Sequence, residues 1–253
     1  MVRIGTCQTP EVVADVLAAV RVIQDFAGRA DSARLDLLLF PECFLQGYLV
    51  TDEHVRGQAI EIGSPEFDSV LARLAGLRQM LVFGLIERAD GGYYNTAVVI
   101  VGGRVVGRYR KTFLTSAESV FTAGDGYPVF DCAGVRFGIN ICYDTQFERA
   151  AAAVAAGGAR VLLVPAQNMM RREKAFWWQD RHNEIRARRA RETGMWVVSA
   201  DVTGERDRAR IGLGPTGFLN PAGEVVGQVP AGATGMATAE ITQPTQPPNA
   251  TDR

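Results

Sequence analysis

The run Gly134-Val-Arg-Phe-Gly-Ile-Asn-Ile-Cys-Tyr-Asp144 ends an apolar stretch at a thiol, and a carboxylate follows two positions later. An alanine-rich segment comes next. This order predicts a buried strand that delivers Cys142 to its carboxyl end, beside the start of a helix. The first N–H groups of a helix are unpaired and carry positive potential, so they favour a thiolate and could bind an oxyanion. Cys142 is therefore the candidate nucleophile.

The sequence around this run predicts an α/β fold. Apolar periodicity and turn residues indicate a strand–helix–strand start, then hairpins, then a second strand–helix–strand unit. Strands are predicted at 2–7, 35–40, 80–87, 94–101, 104–109, 127–131, 135–141, 160–164, 196–202, 216–219 and 224–227, and helices at 11–29, 64–78, 145–156 and 174–192. Parallel units and hairpins together indicate a mixed sheet, or two of them, covered by helices.

Composition narrows the class of protein. The 253 residues are 47% hydrophobic and 22% charged, with a net charge of −1, so a sizeable core is expected. Near-neutral charge gives no reason to expect nucleic acid or an acidic membrane as a partner. The N-terminus lacks the pattern of a signal peptide, and no apolar stretch approaches the roughly 20 residues that span a bilayer. We therefore expect a cytoplasmic protein.

Metal binding is not indicated either. The four cysteines form no C-x-x-C pair, and only His54 and His182 are present. A zinc site needs several such ligands at characteristic spacings, so none is expected. The cysteines are expected to be free thiols.

A nucleophilic thiol needs a base, and neither histidine lies at a predicted strand end. Glu42 follows the buried run Leu37–Pro41, at the edge of a sheet where α/β proteins bind ligands. Partial desolvation there raises the pKa of a carboxyl group toward that of a working base. Lys111 follows another predicted strand, and its ammonium could hold a thiolate or an oxyanion.

Three motifs in this order, Phe-Pro-Glu42, Tyr-Arg-Lys111 and Ile-Cys142-Tyr-Asp144, resemble the nitrilase superfamily of carbon–nitrogen hydrolases. The resemblance covers residues 2–230. It implies a four-layer α-β-β-α sandwich with two mixed sheets, commonly assembled as a homodimer or higher homo-oligomer. It also implies hydrolysis of nitriles, linear amides or carbamoyl groups through a cysteine thioester, with no cofactor.

The resemblance assigns a role to each matching residue. Cys142 would attack the carbonyl or nitrile carbon, and Glu42 would move the protons. Lys111 and the backbone N–H of Tyr143 would stabilise the oxyanion. Glu118, in a segment that also resembles the family, would orient Lys111 or the substrate.

The Cys-Tyr-Asp motif is more similar to amidases and carbamoylases than to true nitrilases, which usually show Cys-Trp-Glu. We therefore expect a hydrolase of a small linear amide or N-carbamoyl compound that releases ammonia or an amine. A true nitrilase, or a catalytically silent binding protein, is the alternative. Gln146 stands where amidase-like members have an arginine, which leaves recognition of a substrate carboxylate open.

Three further predictions concern regions outside these motifs. Gln167, Asn168 and Met169 follow the strand 160–164 and are candidates for substrate contacts. Acidic residues interleave with the arginines of 171–192, which favours a solvated or dimer-facing helix over a nucleic-acid surface. Residues 1–241 are predicted to form one hydrolase domain, followed by an extended tail at 242–253.

Overall fold

The structure is a computed structural model that describes residues 1–242, so the predicted tail beyond Thr242 lies outside the described residues. Its strands are β1 Val2–Pro10, β2 Leu37–Leu39, β3 Met80–Ala89, β4 Gly92–Val101, β5 Arg104–Arg110, β6 Val129–Cys132, β7 Val135–Ile139, β8 Val161–Pro165, β9 Met170–Arg171, β10 Trp196–Asp207, β11 Arg210–Leu213, β12 Gly217–Leu219, β13 Val225–Gln228 and β14 Gly235–Ile241. Its helices are α1 Val16–Ser32, α2 Asp52–Gln58, α3 Pro65–Leu74, α4 Glu148–Ala156, α5 Arg172–Trp178 and α6 Arg181–Thr193. Two short 3-10 segments lie at Ser116–Glu118 and Cys142–Gln146.

The strands form two mixed sheets that share β10. In the first sheet the order is β5-β4-β3-β2-β1, and β14 lies antiparallel beside β1. In the second sheet the order is β6-β7-β8-β10, and β12 and β13 extend it. The first half of β10 pairs in parallel with β8, whereas Asp201, Val202 and Thr203 pair in parallel with the end of β1. Strand β10 therefore joins the two sheets near the carboxyl ends of β1 and β8.

Three apolar clusters separate four layers, and they explain why the strands are buried on both faces. The central cluster contains Leu39 and Val99 from the first sheet and Ile139 and Leu163 from the second, so the two sheets pack face to face. The outer face of the first sheet packs on α1 and α3. The outer face of the second sheet packs on α4 and α6. The result is the expected α-β-β-α sandwich.

Local sequence signals set several boundaries as expected. Ser64 accepts a hydrogen bond from the backbone N–H of Phe67 at 3.3 Å, and Pro65 starts α3. Gly102 and Gly103 both have positive φ, which a tight turn between β4 and β5 requires, and they form the predicted hairpin loop. Asp15 accepts from the backbone N–H of Ala18 at 2.8 Å, so α1 begins later than the periodicity alone indicated.

The prediction of a single helix over 174–192 is wrong, because the chain forms α5 and α6 with a break after Trp178. No proline or glycine marks the break in the sequence. Helix α5 contacts β11, whereas α6 contacts α4 and β10, so packing against different partners sets the two directions. Helix α2 and strands β9, β11 and β14 were also not predicted.

Candidate active site

The carboxyl ends of four strands meet at one edge of the sandwich. Glu42 follows β2, Lys111 follows β5, Cys142 follows β7, and Gln167 follows β8. The backbone N–H of Glu42 donates to the carbonyl of Ala166 at 3.2 Å, which fastens the loop after β2 to the loop after β8. The structure thus brings together the residues that the sequence motifs placed at strand ends.

The backbone around Glu42 is held closely against β3. A Cβ atom added to Gly84 would lie 2.1 Å from the backbone nitrogen of Cys43 and 2.6 Å from the carbonyl carbon of Glu42. Only glycine permits this approach. Gly84 also donates its N–H to the carbonyl of Pro41 at 3.0 Å and accepts from Leu45 at 3.0 Å. Strand β3 therefore fixes the position of the Glu42 side chain.

Glu42 belongs to a buried cluster with Lys111, Glu118 and Asn95. The Lys111 ammonium lies 2.8 Å from Oε1 of Glu42 and 2.9 Å from Oε1 of Glu118. The amide of Asn95 donates to the same two oxygens, at 2.7 and 3.1 Å. Oε2 of Glu118 accepts from the backbone N–H of Thr115 at 2.8 Å. All four side chains are essentially inaccessible to solvent.

The second oxygen of Glu42, Oε2, is buried and has no hydrogen-bond partner among residues 1–242. Burial raises the pKa of Glu42 to about 7, although the Lys111 charge opposes this. Burial favours the neutral form of Lys111, but the negative charge of Glu42 and neighbouring groups raise its pKa well above the usual value. For Glu118, burial acts to raise the pKa, but the Lys111 charge together with hydrogen bonds from Thr115, Lys111 and Asn95 lowers it overall. The cluster therefore offers one carboxylate oxygen that can take up a proton near neutral pH.

Cys142 begins the 3-10 segment Cys142–Gln146 and has a φ of 44°, which is rare for a residue other than glycine. A sharp turn of this kind projects a nucleophile from the end of a strand. The N–H groups of the first residues, including Tyr143, have no acceptor within such a segment. They are free to face an oxyanion.

Asp144 holds this turn against the Lys111 loop. Its carboxylate accepts from the backbone N–H groups of Ile141 and Phe113, both at 2.8 Å, and from the hydroxyl of Tyr109, also at 2.8 Å. These bonds join the chain on either side of Cys142 to the segment that follows Lys111. Asp144 is thus the connection between nucleophile and lysine that the Cys-Tyr-Asp motif supplies.

The expectation that the helix start favours a resting thiolate is wrong. The α-helix begins only at Glu148, six residues after Cys142. Burial raises the pKa of the Cys142 thiol well above its usual value, and the nearby Glu42 carboxylate raises it further. Lys111 and the backbone N–H of Gln167 offset only part of this. The thiol is therefore protonated at rest, and the reaction must remove its proton.

Cys142 lies in the wall of a cavity of about 540 Å³ that opens to solvent. Tyr48 and the loop Thr115–Ala117 form one side, and α5 and α6 form the other through Trp178, His182 and Arg186. The Trp178 and His182 rings stack with centroids 5.2 Å apart. Such a volume accommodates a small molecule. Phe176 and Trp177, by contrast, remain more than half exposed.

The three candidates for substrate contacts have different positions. Gln167 and Asn168 line the cavity, whereas Met169 is not in its wall and the next residue, Met170, is. The side chain of Gln167 bonds to Glu11, and that of Asn168 bonds to Asp201. Both amide groups are therefore already engaged within the protein.

Sequence reasoning missed Asn95 and Arg186. Asn95 lies inside β4, opposite Ile86 of β3, and no motif distinguishes it. Arg186 is buried and lines the cavity, although the arginine-rich stretch was expected to be solvated or dimer-facing. A signal was present, because Ala187 and Ala190 mark the face of α6 that packs inward.

In residues 1–242 no three histidine, cysteine or acidic side chains are grouped so that they could hold a metal ion. No helix within this part of the chain has the length and apolar character needed to cross a membrane.

The chain is similar in sequence to proteins of a known family. The sequence model of the carbon–nitrogen hydrolase family matches residues 3–246. An (R)-stereoselective amidase of a Pseudomonas species is 30% identical over 196 residues, which are 76% of this chain and 68% of that protein. A nitrilase of Pyrococcus abyssi is 32% identical over 211 residues, which are 81% of this chain and 76% of that protein.

The fold is shared with a solved amidase from Nesterenkonia sp. The TM-score is 0.81 at 25% identity, and the match covers 95% of this chain and 90% of that one. Structures of variants of the Nesterenkonia amidase contain bound butyramide, or acrylamide added at the active-site cysteine.

Proposed function

We propose that this chain, which belongs to the carbon–nitrogen hydrolase family, cleaves a small linear amide or N-carbamoyl compound through a thioester on Cys142. The observation that carries the proposal is that a thiol in the cavity wall and a buried carboxylate with an unpaired oxygen lie at the same edge of the sandwich. Burial holds the pKa of the Cys142 thiol above its usual value. Oε2 of Glu42 is a buried acceptor without a partner in residues 1–242, and the pKa of this carboxyl group is about 7. Acyl transfer from an amide requires a nucleophile and a base that can take its proton, and a base works best when its pKa lies near the working pH.

In the first half-reaction, Sγ of Cys142 bonds to the amide carbon while the thiol proton passes to Oε2 of Glu42. The transfer accompanies the attack, because burial makes the free thiolate unfavourable. The carbonyl π electrons move onto oxygen, where the Lys111 ammonium and the backbone N–H of Tyr143 stabilise the charge. When the carbonyl re-forms, the C–N bond breaks and Glu42 gives its proton to the departing nitrogen, which leaves as ammonia or an amine.

In the second half-reaction, Glu42 takes a proton from a water molecule, and the water oxygen bonds to the thioester carbon. The C–S bond then breaks, the proton on Glu42 passes to sulfur, and the acid leaves. Glu42 thus acts as base and acid twice per cycle. Lys111 remains an ammonium throughout, since the negative charges around it hold its pKa high.

Glu118 and Asn95 are positioning residues in this proposal. Asn95 donates to Glu42 and Glu118 accepts from Lys111, and neither touches the reacting atoms in the proposed steps. Because Oε1 of Glu42 accepts from both Lys111 and Asn95, the carboxylate cannot rotate freely, and Oε2 stays available for the proton.

Comparison with relatives supports amide cleavage over nitrile cleavage. The Pseudomonas and Nesterenkonia relatives are amidases, and the Cys142-Tyr-Asp motif favours that branch. A nitrilase is the second candidate, because the relative from Pyrococcus abyssi carries that name at 32% identity.

The test is ammonia release from a panel of small nitriles, aliphatic amides, ω-amides and N-carbamoyl amines or amino acids, with Cys142→Ala as the blank. We expect release from an amide or carbamoyl class that the variant abolishes. Release from nitriles alone would replace the amidase assignment by a nitrilase. The remaining outcome is no ammonia release from any compound of the panel, with Cys142 alkylated no faster than the buried Cys7, Cys43 and Cys132. That outcome would indicate a catalytically silent family member.

A further inference from the structure

Arg186 lines the cavity, and one hydrogen-bonding edge of its guanidinium is unused within the described residues. Its Nη1 donates to Oγ of Ser199 at 3.0 Å and to the carbonyl of Pro215 at 2.9 Å, which fixes the plane of the guanidinium. The side chain is buried, with 3% of the residue exposed, and it lines the cavity beside Cys142. Nε and Nη2 have no hydrogen-bond partner among residues 1–242, and both keep some exposure to solvent. These two nitrogens form the parallel fork that binds a carboxylate in a bidentate manner.

The buried charge of Arg186 also lacks a bonded counter-ion within the described residues. Asp201 is near, but its oxygens accept from the backbone N–H groups of Asn168 and Val202, each at 2.8 Å, and from the Asn168 amide. No ion pair within 4.0 Å joins Arg186 to an acidic side chain in residues 1–242. Burial lowers the pKa of the guanidinium, and Asp201 opposes this. A buried cation without a paired anion is unfavourable, so a bound anion would stabilise it.

The charge of the cavity wall is positive and therefore also favours an anion. None of its described residues is acidic, and Lys174 at the rim adds a second permanent cation. Burial lowers the pKa of His182 to about 3, so this side chain contributes a neutral ring. Glu42 and Glu118 lie behind the wall, bonded to Lys111 and Asn95.

We propose that Arg186 binds a carboxylate carried by the substrate, so that the cleaved compound is an amide or N-carbamoyl compound with a free acid group. The proposal rests on the function proposed above and names the substrate class of the same site. The acid group would occupy the Nε–Nη2 edge of Arg186 while the amide carbon lies at Cys142. Arg186 would thereby supply the recognition that Gln146 does not.

The test compares anionic probes with neutral counterparts of the same size. The half-amides of four-, five- and six-carbon dicarboxylic acids are each compared with the straight-chain amide that carries a methyl group in place of the acid group, and N-carbamoyl-β-alanine is compared with N-carbamoyl-propylamine. We expect the wild-type protein to favour at least one anionic probe by more than tenfold in kcat/KM. Whether a half-amide or the carbamoyl compound is preferred distinguishes the two sources of the carboxylate.

Arg186→Gln should lower kcat/KM for the preferred anionic probe by about 10- to 100-fold, chiefly through KM, as expected for loss of a bidentate charged contact. It should change kcat/KM for the neutral probe by less than about threefold. Arg188→Gln is the matched control, because Arg188 is exposed on the same helix, and it should leave both values within about twofold. Arg186→Lys keeps the charge but not the fork and should recover only part of the loss.

The outcomes separate the two proposals. An equal loss on anionic and neutral probes in Arg186→Gln would make Arg186 a structural residue and overturn the inference. Cys142-dependent hydrolysis of neutral amides without preference for an acid group would overturn it while the proposed function stands. Should Arg186→Gln fail to fold, the wild-type ratio decides: above ten supports the inference, and a ratio near or below one rejects it. If the wild-type protein hydrolyses no probe of either charge, the proposed function fails, and this inference fails with it.

Discussion

Replacing Glu42 by glutamine should stabilise the folded protein at alkaline pH and abolish turnover. Glu42 is fully buried, and burial raises its pKa from the usual 4.5 to about 7 despite the neighbouring Lys111 charge. The site therefore disfavours the carboxylate that catalysis needs. Glutamine keeps the volume and one acceptor oxygen without the charge, and Lys111 keeps Glu118 as its counter-ion. Catalytic groups commonly cost stability in this manner.

The sign and size of this change in the free energy of unfolding follow from proton linkage. A carboxyl group with a raised folded-state pKa contributes stability that is fully present below pH 4.5 and is lost as the pH rises through 7. The loss amounts to about 1 kcal/mol at pH 5 and about 3 kcal/mol at pH 8, relative to a group that does not titrate. Glu42→Gln does not titrate at this position, so its advantage over the wild-type protein should grow between these two pH values.

Urea unfolding at both pH values measures this difference through the transition midpoint, provided that the slope is unchanged. Glu61→Gln is the control, because Glu61 is exposed, and it should change the free energy of unfolding by less than about 0.5 kcal/mol. A Glu42→Gln protein that is less stable than wild type at pH 8 would refute the reasoning. So would an equal difference at pH 5 and pH 8.

Three further substitutions test how the site is held. Asn95→Leu removes the 2.7 Å hydrogen bond to Oε1 of Glu42, which stabilises the carboxylate by about 1.5 kcal/mol. The pKa of Glu42 should rise by about one unit, and the acidic limb of the pH–rate profile should move to higher pH by the same amount. Gly84→Ala places a Cβ atom 2.6 Å from the carbonyl carbon of Glu42, and unfolding measurements should show a loss of about 3 kcal/mol together with loss of turnover. Asp144→Ala frees the turn at Cys142 from the Lys111 loop and should lower kcat by about 100-fold, with circular dichroism unchanged. Wild-type kinetics in any of the three would show that the corresponding contact does not position the site.

Glu42 and Cys142 could be predicted because each follows a buried apolar run, whereas Lys111 could be predicted because it follows the hairpin strand β5, most of which is not buried. Glu42, Lys111 and Cys142 stand directly after strands, and parallel strands bring such positions to one edge. Their order and neighbouring residues also matched a family pattern. The four-layer sandwich followed from that resemblance, since alternation of strands and helices indicated only one or two mixed sheets.

The residues that tune the site could not be predicted in the same manner. Asn95 contacts Glu42 only because β4 and β3 place it beside the loop after β2, and this pairing is a property of the folded sheet. Whether Cys142 rests as a thiol depends on burial from several elements, which the helix-start argument omitted. The break between α5 and α6, two helices that both line the cavity, has no helix-breaking residue to mark it.

The most direct test of the mechanism is detection of the acyl-enzyme. Wild-type protein mixed with the best substrate from the panel is quenched in acid, and intact-mass and peptide mass spectrometry locate any added group. We predict one acyl group on the peptide that contains Cys142, absent from Cys142→Ala, which should also have lost turnover. Turnover by Cys142→Ala within tenfold of the wild-type rate, with no acyl group on the wild-type protein, would contradict covalent catalysis by this residue.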